Sequence, residues 1–418
     1  MLYKIFKVIV TFSLKLYFRK IDLSGLPYLS EGKAQILASN HPSGFLEPLI
    51  MACFFPRPLY FLVRGDVFEN RFLKPVLTGT HQLPIYRFKD GFSKLRENKS
   101  SMEAASQVLL DKKCLLIFAE GSTKSIKMVR PLQKGFIRLA ADAQSSNPEL
   151  PIEIVPVGIN FSDSTKFAGD VMVRVGKPVL VDSASIISGS ESAQYTNYLL
   201  QNTYEKLQEN VIHLAEQSRL KVMEDVFLLE KIQNSRPLHP KVSHDDTFLQ
   251  TSKHIANRMD AMEENIFLEL KEELKDFKKE LKASNSGLEK LTLKKAGILQ
   301  YVVFILGLLP AFAGYLLHLM PLGLALFLAK KNATSKEFFG SIRFVLSIVA
   351  VFVYYLILIS LWATGILPGY FILLCVILGY FARYYYDFWQ EFVYWGKPSR
   401  EAQRLKAVEI YRRYFQTH

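Results

Sequence analysis

Ile36-Leu37-Ala38-Ser39-Asn40-His41-Pro42-Ser43-Gly44-Phe45-Leu46-Glu47-Pro48 passes from a short apolar run to a histidine and, six residues later, a carboxylate. An apolar run of this length ending in Pro, Ser and Gly predicts a buried strand followed by a turn. A second run, Leu115–Phe118, leads in the same way into Ala119-Glu120-Gly121-Ser122-Thr123-Lys124-Ser125. The first run extends over Ala34–Ala38, and further strand-like runs lie at Leu59–Val63, Leu83–Tyr86, Ile152–Ile159 and Val171–Val175, with helix-like segments such as Ser101–Leu110 and Lys134–Ala143 between them. This alternation predicts an α/β domain over residues 25–234 with a largely buried sheet.

On the N-terminal side, residues 1–24 hold Lys4, Lys7, Lys15, Arg19 and Lys20 among Leu2, Ile5, Phe6, Val8, Ile9, Phe12, Leu14, Leu16 and Phe18. Charge interrupts this stretch too often for a spanning helix, and it lacks the form of a signal peptide. It suits an amphipathic helix lying in a membrane interface, or one packed on the domain. The 418-residue chain carries a formal net charge of +13 and is 50% apolar. Such a chain fits an anionic membrane surface better than nucleic acid, given where the charges fall. Its three cysteines, Cys53, Cys114 and Cys375, lie too far apart in sequence to suggest disulfides or a metal site.

On the C-terminal side, Tyr195–Ile232 and Thr247–Leu288 read as helices, with Ser235–His244 as a linker and 235–293 as a charged helical region. Ile255, Met259, Met262, Ile266, Leu270, Leu274, Phe277 and Leu281 recur at steps of three or four, which predicts an amphipathic helix or hairpin acting as a lid, a spacer or a dimer contact. Residues 294–418 read as a membrane domain with a basic tail. Phe344–Trp362 and Ile366–Ala382 lack charge and predict two spans joined at Ala363-Thr364-Gly365. Gly297–Ala329 is also uncharged but contains Pro310 and Pro321. Split at a proline, each half of about 15 residues would rise only about 22 Å, so a re-entrant or split pair is expected there. Lys294, Lys295, Lys330, Lys331, Lys336, Arg343, Arg383, Lys397 and Arg400 would then flank one side, which the positive-inside bias makes cytoplasmic.

A histidine titrates near neutral pH and can serve as a general base, and a neighbouring carboxylate can fix its tautomer. His41 and Glu47 are the candidates for these two parts. An ideal helix turns by about 600° over six residues, so the two side chains meet only if the chain bends between them, and Gly44 is the residue best able to bend. Glu47 could instead charge a helix N-terminus. Ser43 could rival His41 as a nucleophile, although a turn or capping serine beside Gly44 is the simpler reading. Arg87, after Leu83-Pro84-Ile85-Tyr86, suits bidentate phosphate binding, with Lys124 and Lys134 as further cations. Arg64 is a weaker phosphate-binding candidate. Gly121 beside Glu120 would let backbone approach a ligand closely, Glu120 would hold the loop or a ligand hydroxyl, and Pro156 sits at an apolar strand end. The histidines show no metal-ligand spacing, and no glycine-rich nucleotide loop is present.

In order, Asn40-His41 with Glu47, Leu83 to Arg87, Phe118 to Ser125 and Ile154-Val155-Pro156-Val157-Gly158 resemble the four motif blocks of the glycerolipid acyltransferase superfamily, which includes glycerol-3-phosphate and lysophosphatidic acid acyltransferases. The first block departs from the family form by one extra residue and by Glu for Asp. The third has Ala119 where the family has Pro, and its basic residue is shifted by one. The resemblance covers roughly residues 1–215. It implies a mixed sheet flanked by helices, His41 and Glu47 as catalytic residues, and Arg87, Glu120, Gly121, Ser122, Lys124, Lys134 and Pro156 around the substrates. It also implies transfer of a fatty acyl group from acyl-CoA or acyl carrier protein to a hydroxyl of glycerol 3-phosphate or 1-acylglycerol 3-phosphate. No cofactor beyond the acyl carrier is expected. Membrane lipids are the expected partners, and the expected setting is a bacterial inner membrane with the site on its cytoplasmic face. A lyso-aminolipid acceptor and an inactive scaffold of the same fold are the rival readings.

Overall fold

A computed structural model describes residues 2–86, 92–181, 189–234, 236, 239–393 and 399–416. It divides into two compact units. The first comprises Met1–Ile212, Val242–Asp246 and Lys336–Ser341; the second comprises His213–Lys241, Thr247–Ser335 and Ile342–His418.

The first unit is built on a mixed sheet, nine-stranded among the described residues. In chain order its strands are β1 (Lys20–Ser24), β2 (Ala34–Ser39), β3 (Leu59–Arg64), β4 (Gln82–Ile85), β5 (Cys114–Phe118), β6 (Ile152–Phe161), β7 (Asp170–Val175), β8 (Val179–Val181) and β9 (Val242–Ser243). The spatial order is β4-β3-β5-β2-β6-β7-β1-β9, with β8 paired to β6. The β4, β3, β5, β2 and β6 strands run parallel, whereas β7 and β8 are antiparallel to β6. All residues of β2 and β6 are buried, as continuous apolar runs in a doubly covered sheet require. Helices α1 (Leu2–Tyr17), α2 (Leu46–Phe54), α3 (Leu73–Gly79), α4 (Phe92–Leu110), α5 (Gly135–Ser146) and α6 (Gly189–Gln208) belong to this unit. The core joins Ile36, Ala38 and Leu115 of the strands to Leu109, Phe136, Leu139, Ala140 and Leu199 of the helices.

Two boundaries differ from the expectation. The N-terminal helix stops at Tyr17, and Lys20–Ser24 is a strand rather than the end of a helix. It lies between β7 and β9 with Ile21, Asp22 and Leu23 all buried, and Arg19 pairs with Asp170 on β7. The expected linker 235–244 contains β9, whose Ser243 hydroxyl donates to Asp22. Helix α1 buries Val10, Leu14 and Tyr17 and leaves Ile5, Phe6, Val8, Ile9 and Phe12 exposed.

In the second unit the helical region is broken into α7 (Leu220–Gln233), α8 (Thr247–Asp260) and α9 (Glu264–Ala283). The buried face of α9 is Phe267, Leu270, Leu274, Phe277 and Leu281; Ile266, expected on it, is exposed. Arg219 joins the α8–α9 turn by donating to the carbonyls of Met259 and Met262 and to Glu264. Three long helices follow: α10 (Ile298–Asn332), α11 (Lys336–Ala363, whose first six residues belong to the first unit) and α12 (Gly369–Trp389). Each is long and apolar enough to cross a membrane, yet only 22%, 11% and 22% of their most apolar stretches are buried. The expected split at the prolines is not found. Both Pro310 and Pro321 lie inside one 35-residue helix, as apolar helices tolerate when neighbours satisfy the freed carbonyls. Small residues let α10 and α12 approach closely: a Cβ on Gly314 would stand 2.1 Å from the Leu378 carbonyl oxygen. Helix α13 (Ser399–Phe415) ends the described chain.

Candidate active site

β2 and β5 are parallel neighbours with Ser39 opposite Phe118. The loops that follow them therefore emerge at the same carboxyl edge of the sheet, where α/β folds place their ligands. Ala119 N–H donates to Ser39 O at 3.0 Å and extends the ladder past the strand ends. Asn40 then bridges to β6: its Nδ2 donates to Ile159 O at 2.9 Å and its Oδ1 accepts from Ile159 N–H at 2.8 Å. The His41 loop is thus anchored on both flanking strands before the histidine is reached.

The reversal expected at Gly44 is present. Gly44 adopts φ +48, the left-handed region that glycine enters without strain. The chain turns there into α2, whose first turn carries Glu47. His41 Nδ1 lies 3.4 Å from Glu47 Oε1. This separation is long for a formed hydrogen bond. The same Glu47 oxygen accepts the Ser43 N–H, so the carboxylate both closes the turn and faces the imidazole. The two readings of Glu47, helix-terminal charge and histidine partner, are therefore compatible. The His41 ring stacks on Phe118, with centroids 3.9 Å apart and planes 10° apart. Glu47 is fully buried while the His41 side chain keeps 15% of its surface exposed. Glu47 Oε2 and Ser43 Oγ are buried without a hydrogen-bond partner among the described residues.

Glu120 ties the second loop to the first. Its Oε2 accepts from His41 N–H at 3.2 Å, and Lys124 N–H donates to His41 O at 3.0 Å. Arg130 supplies the counter-charge: its backbone N–H donates to Glu120 Oε1 at 2.9 Å, and its guanidinium reaches Oε2 at 2.6 Å and 3.2 Å. The same guanidinium donates to Ser122 Oγ at 2.6 Å and to the Ser122 carbonyl. Glu120 and Ser122 are thus held as a latch around Arg130, a residue absent from the sequence-based candidates. Its signal was indirect: a glutamate destined for burial requires a nearby cation.

The remaining candidates are placed as follows. Gly121 has φ +71 in the turn after β5. The Lys124 side chain is exposed beside the His41 loop. Lys134 precedes α5 and donates to Asn197 on α6 at 2.9 Å, and no bond joins it to His41, Glu47 or Glu120 among the described contacts. Pro156 sits in β6 opposite Ala38, and its carbonyl accepts from Gly176 N–H at 2.8 Å, a packing position within the sheet. Arg64 is exposed and paired with Asp66, its Nε 3.0 Å from Oδ1. Arg87 lies outside the described residues. Among the described residues no group of three or more His, Cys, Asp or Glu is placed to hold a metal ion.

Residues 20–160 match the Acyltransferase family model. Glycerol-3-phosphate O-acyltransferase 2 of Saccharomyces cerevisiae is 26% identical over 86 residues, which are 21% of this chain and 12% of the yeast protein. The match thus spans about an eighth of that relative's length. The crystal structure of the 1-acyl-sn-glycerophosphate (LPA) acyltransferase PlsC from Thermotoga maritima aligns with a TM-score of 0.36 and 14% identity, over 49% of this chain and 79% of that one. Residues 20–160, which carry the His41 and Glu120 loops at the carboxyl edge of their sheet, are thus similar to the Acyltransferase family, in one chain with three helices long and apolar enough to cross a membrane.

Proposed function

We propose that the protein is an integral membrane O-acyltransferase that moves a fatty acyl group from acyl-CoA or acyl carrier protein to a hydroxyl of glycerol 3-phosphate or 1-acylglycerol 3-phosphate. The observation that carries this reading is the His41 Nδ1–Glu47 Oε1 approach of 3.4 Å on a turn held between β2 and β6. With Nδ1 directed at Glu47, Nε2 is the nitrogen free to act on substrate. It takes the proton of the acceptor hydroxyl as that oxygen attacks the thioester carbonyl. An ester C–O bond forms, the C–S bond breaks, and the proton held by His41 passes to the departing thiolate. Glu47 stabilises the imidazolium between these steps, as a buried carboxylate does in hydrolase triads. The thioester is already activated, so no enzyme nucleophile is required, and Ser43 serves the turn instead.

Lys124 is the cation we assign to the acceptor phosphate, because its backbone is bonded to the His41 carbonyl and its side chain is exposed. The exposed Ile5, Phe6, Val8, Ile9 and Phe12 of α1, interspersed with Lys4, Lys7 and Lys15, suit an anionic lipid surface on which acceptor and product both partition. Lys330, Lys331, Lys336 and Arg343 cluster where α10 meets α11, the helix whose first residues pack in the α/β unit, and favour a cytoplasmic site; a bacterial inner membrane is the setting we assign to it. The test is transfer of labelled acyl chains from acyl-CoA and from acyl carrier protein, in membranes carrying the protein, to glycerol 3-phosphate, 1-acylglycerol 3-phosphate and a lyso-aminolipid. The reading expects transfer to a phosphorylated acceptor that His41→Ala abolishes. Transfer to the lyso-aminolipid alone, or transfer unchanged by His41→Ala, would overturn it.

A further inference from the structure

The turn that carries His41 is gripped by a segment almost three hundred residues away in sequence. Residues 336–341, the first turn and a half of α11, pack within the α/β unit, and the same helix continues into its long apolar stretch. Ser341 is fully buried. Its Oγ donates to Ser43 O at 2.9 Å and accepts from Phe45 N–H at 3.2 Å. A serine inside a helix ordinarily bonds its own helix's carbonyl one turn back; here both bonds go to the residues on either side of Gly44.

The rest of the segment is shaped to reach that place. A Cβ on Gly340 would stand 2.0 Å from Ser164 O, and Tyr17 Oη donates to Gly340 O at 3.3 Å. Phe338 covers Gly44 so closely that a Cβ there would meet its ring at 2.9 Å. The turn is therefore held from two directions. Glu47 takes the Ser43 N–H from within α2, and Ser341 takes the Ser43 carbonyl and the Phe45 N–H from α11.

We infer that Ser341 is a positioning residue for the His41–Glu47 pair, so that the start of a membrane-compatible helix is part of the acyl-transfer site. The inference rests on the reading of His41 and Glu47 given above. Loss of the Ser341 hydroxyl frees the peptide on each side of Gly44 and lets the imidazole and carboxylate drift apart. Misplacement of about an ångström can lower a rate by about 100-fold while binding is preserved.

The test compares Ser341→Ala and Ser341→Thr with the wild type in membranes, normalised to extractable folded protein, on whichever acceptor the wild type uses. Ser341→Ala is expected to lower kcat by about 10- to 100-fold, with KM for both substrates within about twofold. Ser341→Thr, which keeps the hydroxyl, is expected to recover most of that loss. An unchanged kcat in Ser341→Ala, or equal loss in the two variants, overturns the inference. If Ser341→Ala does not accumulate, Ser341→Cys keeps the side-chain volume while weakening both bonds, and an unchanged kcat there overturns it equally. His41→Ala is measured alongside. Activity surviving His41→Ala defeats the functional reading itself, whereas activity lost there but intact in Ser341→Ala defeats only this inference.

Discussion

Strand β2 carries a polar network at each end, and the two networks are finished differently. At its amino end, Gln35 donates to Tyr28 O and Glu153, and its Oε1 accepts from Arg57. Arg57 also donates to the carbonyls of Ser30, Lys33 and Lys112, and Glu153 receives Lys33. None of the buried side-chain atoms of Gln35, Arg57 or Glu153 is without a partner. At the carboxyl end, by contrast, Glu47 Oε2 and Ser43 Oγ are buried without a partner among the described residues, and the His41–Glu47 contact is long. A satisfied network rigidifies, while an unsatisfied buried polar group costs stability that only another use can justify. The amino end fastens the strand; under the proposed function, the carboxyl end keeps bonding capacity for the reaction.

This contrast predicts that mutations at the two ends fail in opposite ways. His41→Ala should give the largest effect, a fall in kcat/KM of roughly 10²- to 10⁴-fold with little change in thermal unfolding. Arg57→Ala should do the reverse. It leaves three carbonyls and Gln35 without their donor and should cost about 3 kcal/mol in denaturant unfolding, while the protein that remains folded keeps near-normal kcat/KM. If activity per folded molecule falls with Arg57→Ala, the division of labour between the ends is wrong. Glu47→Gln retains an acceptor for Ser43 N–H but loses the charge facing His41. A rate loss of about 10- to 100-fold with near-native stability is expected, read by steady-state kinetics and melting together.

The smallest effect concerns a histidine away from both ends of β2. His81 stacks between Tyr3 and Tyr60, at 4.7 Å and 4.5 Å. Burial pulls its pKa below the ordinary histidine value. Protonation then favours the unfolded chain. Its contribution to stability is whole above about pH 6.5 and is lost as pH falls through the lower folded value. His81→Asn, which tolerates the φ of +63 at this position, should flatten that acid slope by less than about 1 kcal/mol without altering the activity profile.

The parts legible in the sequence are those written in local patterns. The apolar runs located β2 to β7, and the four ordered blocks resemble the acyltransferases whose family model matches residues 20–160. The bend at Gly44 was legible because two residues six apart on a helix cannot meet otherwise. Other features depend on partners distant in sequence. Lys20–Ser24 becomes a strand because β7 and β9 lie on either side of it, and nothing in its own five residues distinguishes it from the helix before it. Arg130 and Ser341 act through contacts made only after the chain has folded. The prolines of α10 misled for a related reason: they break a helix in water, whereas here the helix continues through both.

The central claim is that His41 and Glu47 act as a unit across the turn at Gly44. A double-mutant cycle on acyl transfer with His41→Ala, Glu47→Gln and the combined variant tests it most directly. Residues that act together are strongly non-additive, so the double variant should be no slower than His41→Ala alone. Losses that multiply, with the double variant slower by the full Glu47→Gln factor, would show the two groups acting independently and would contradict the account.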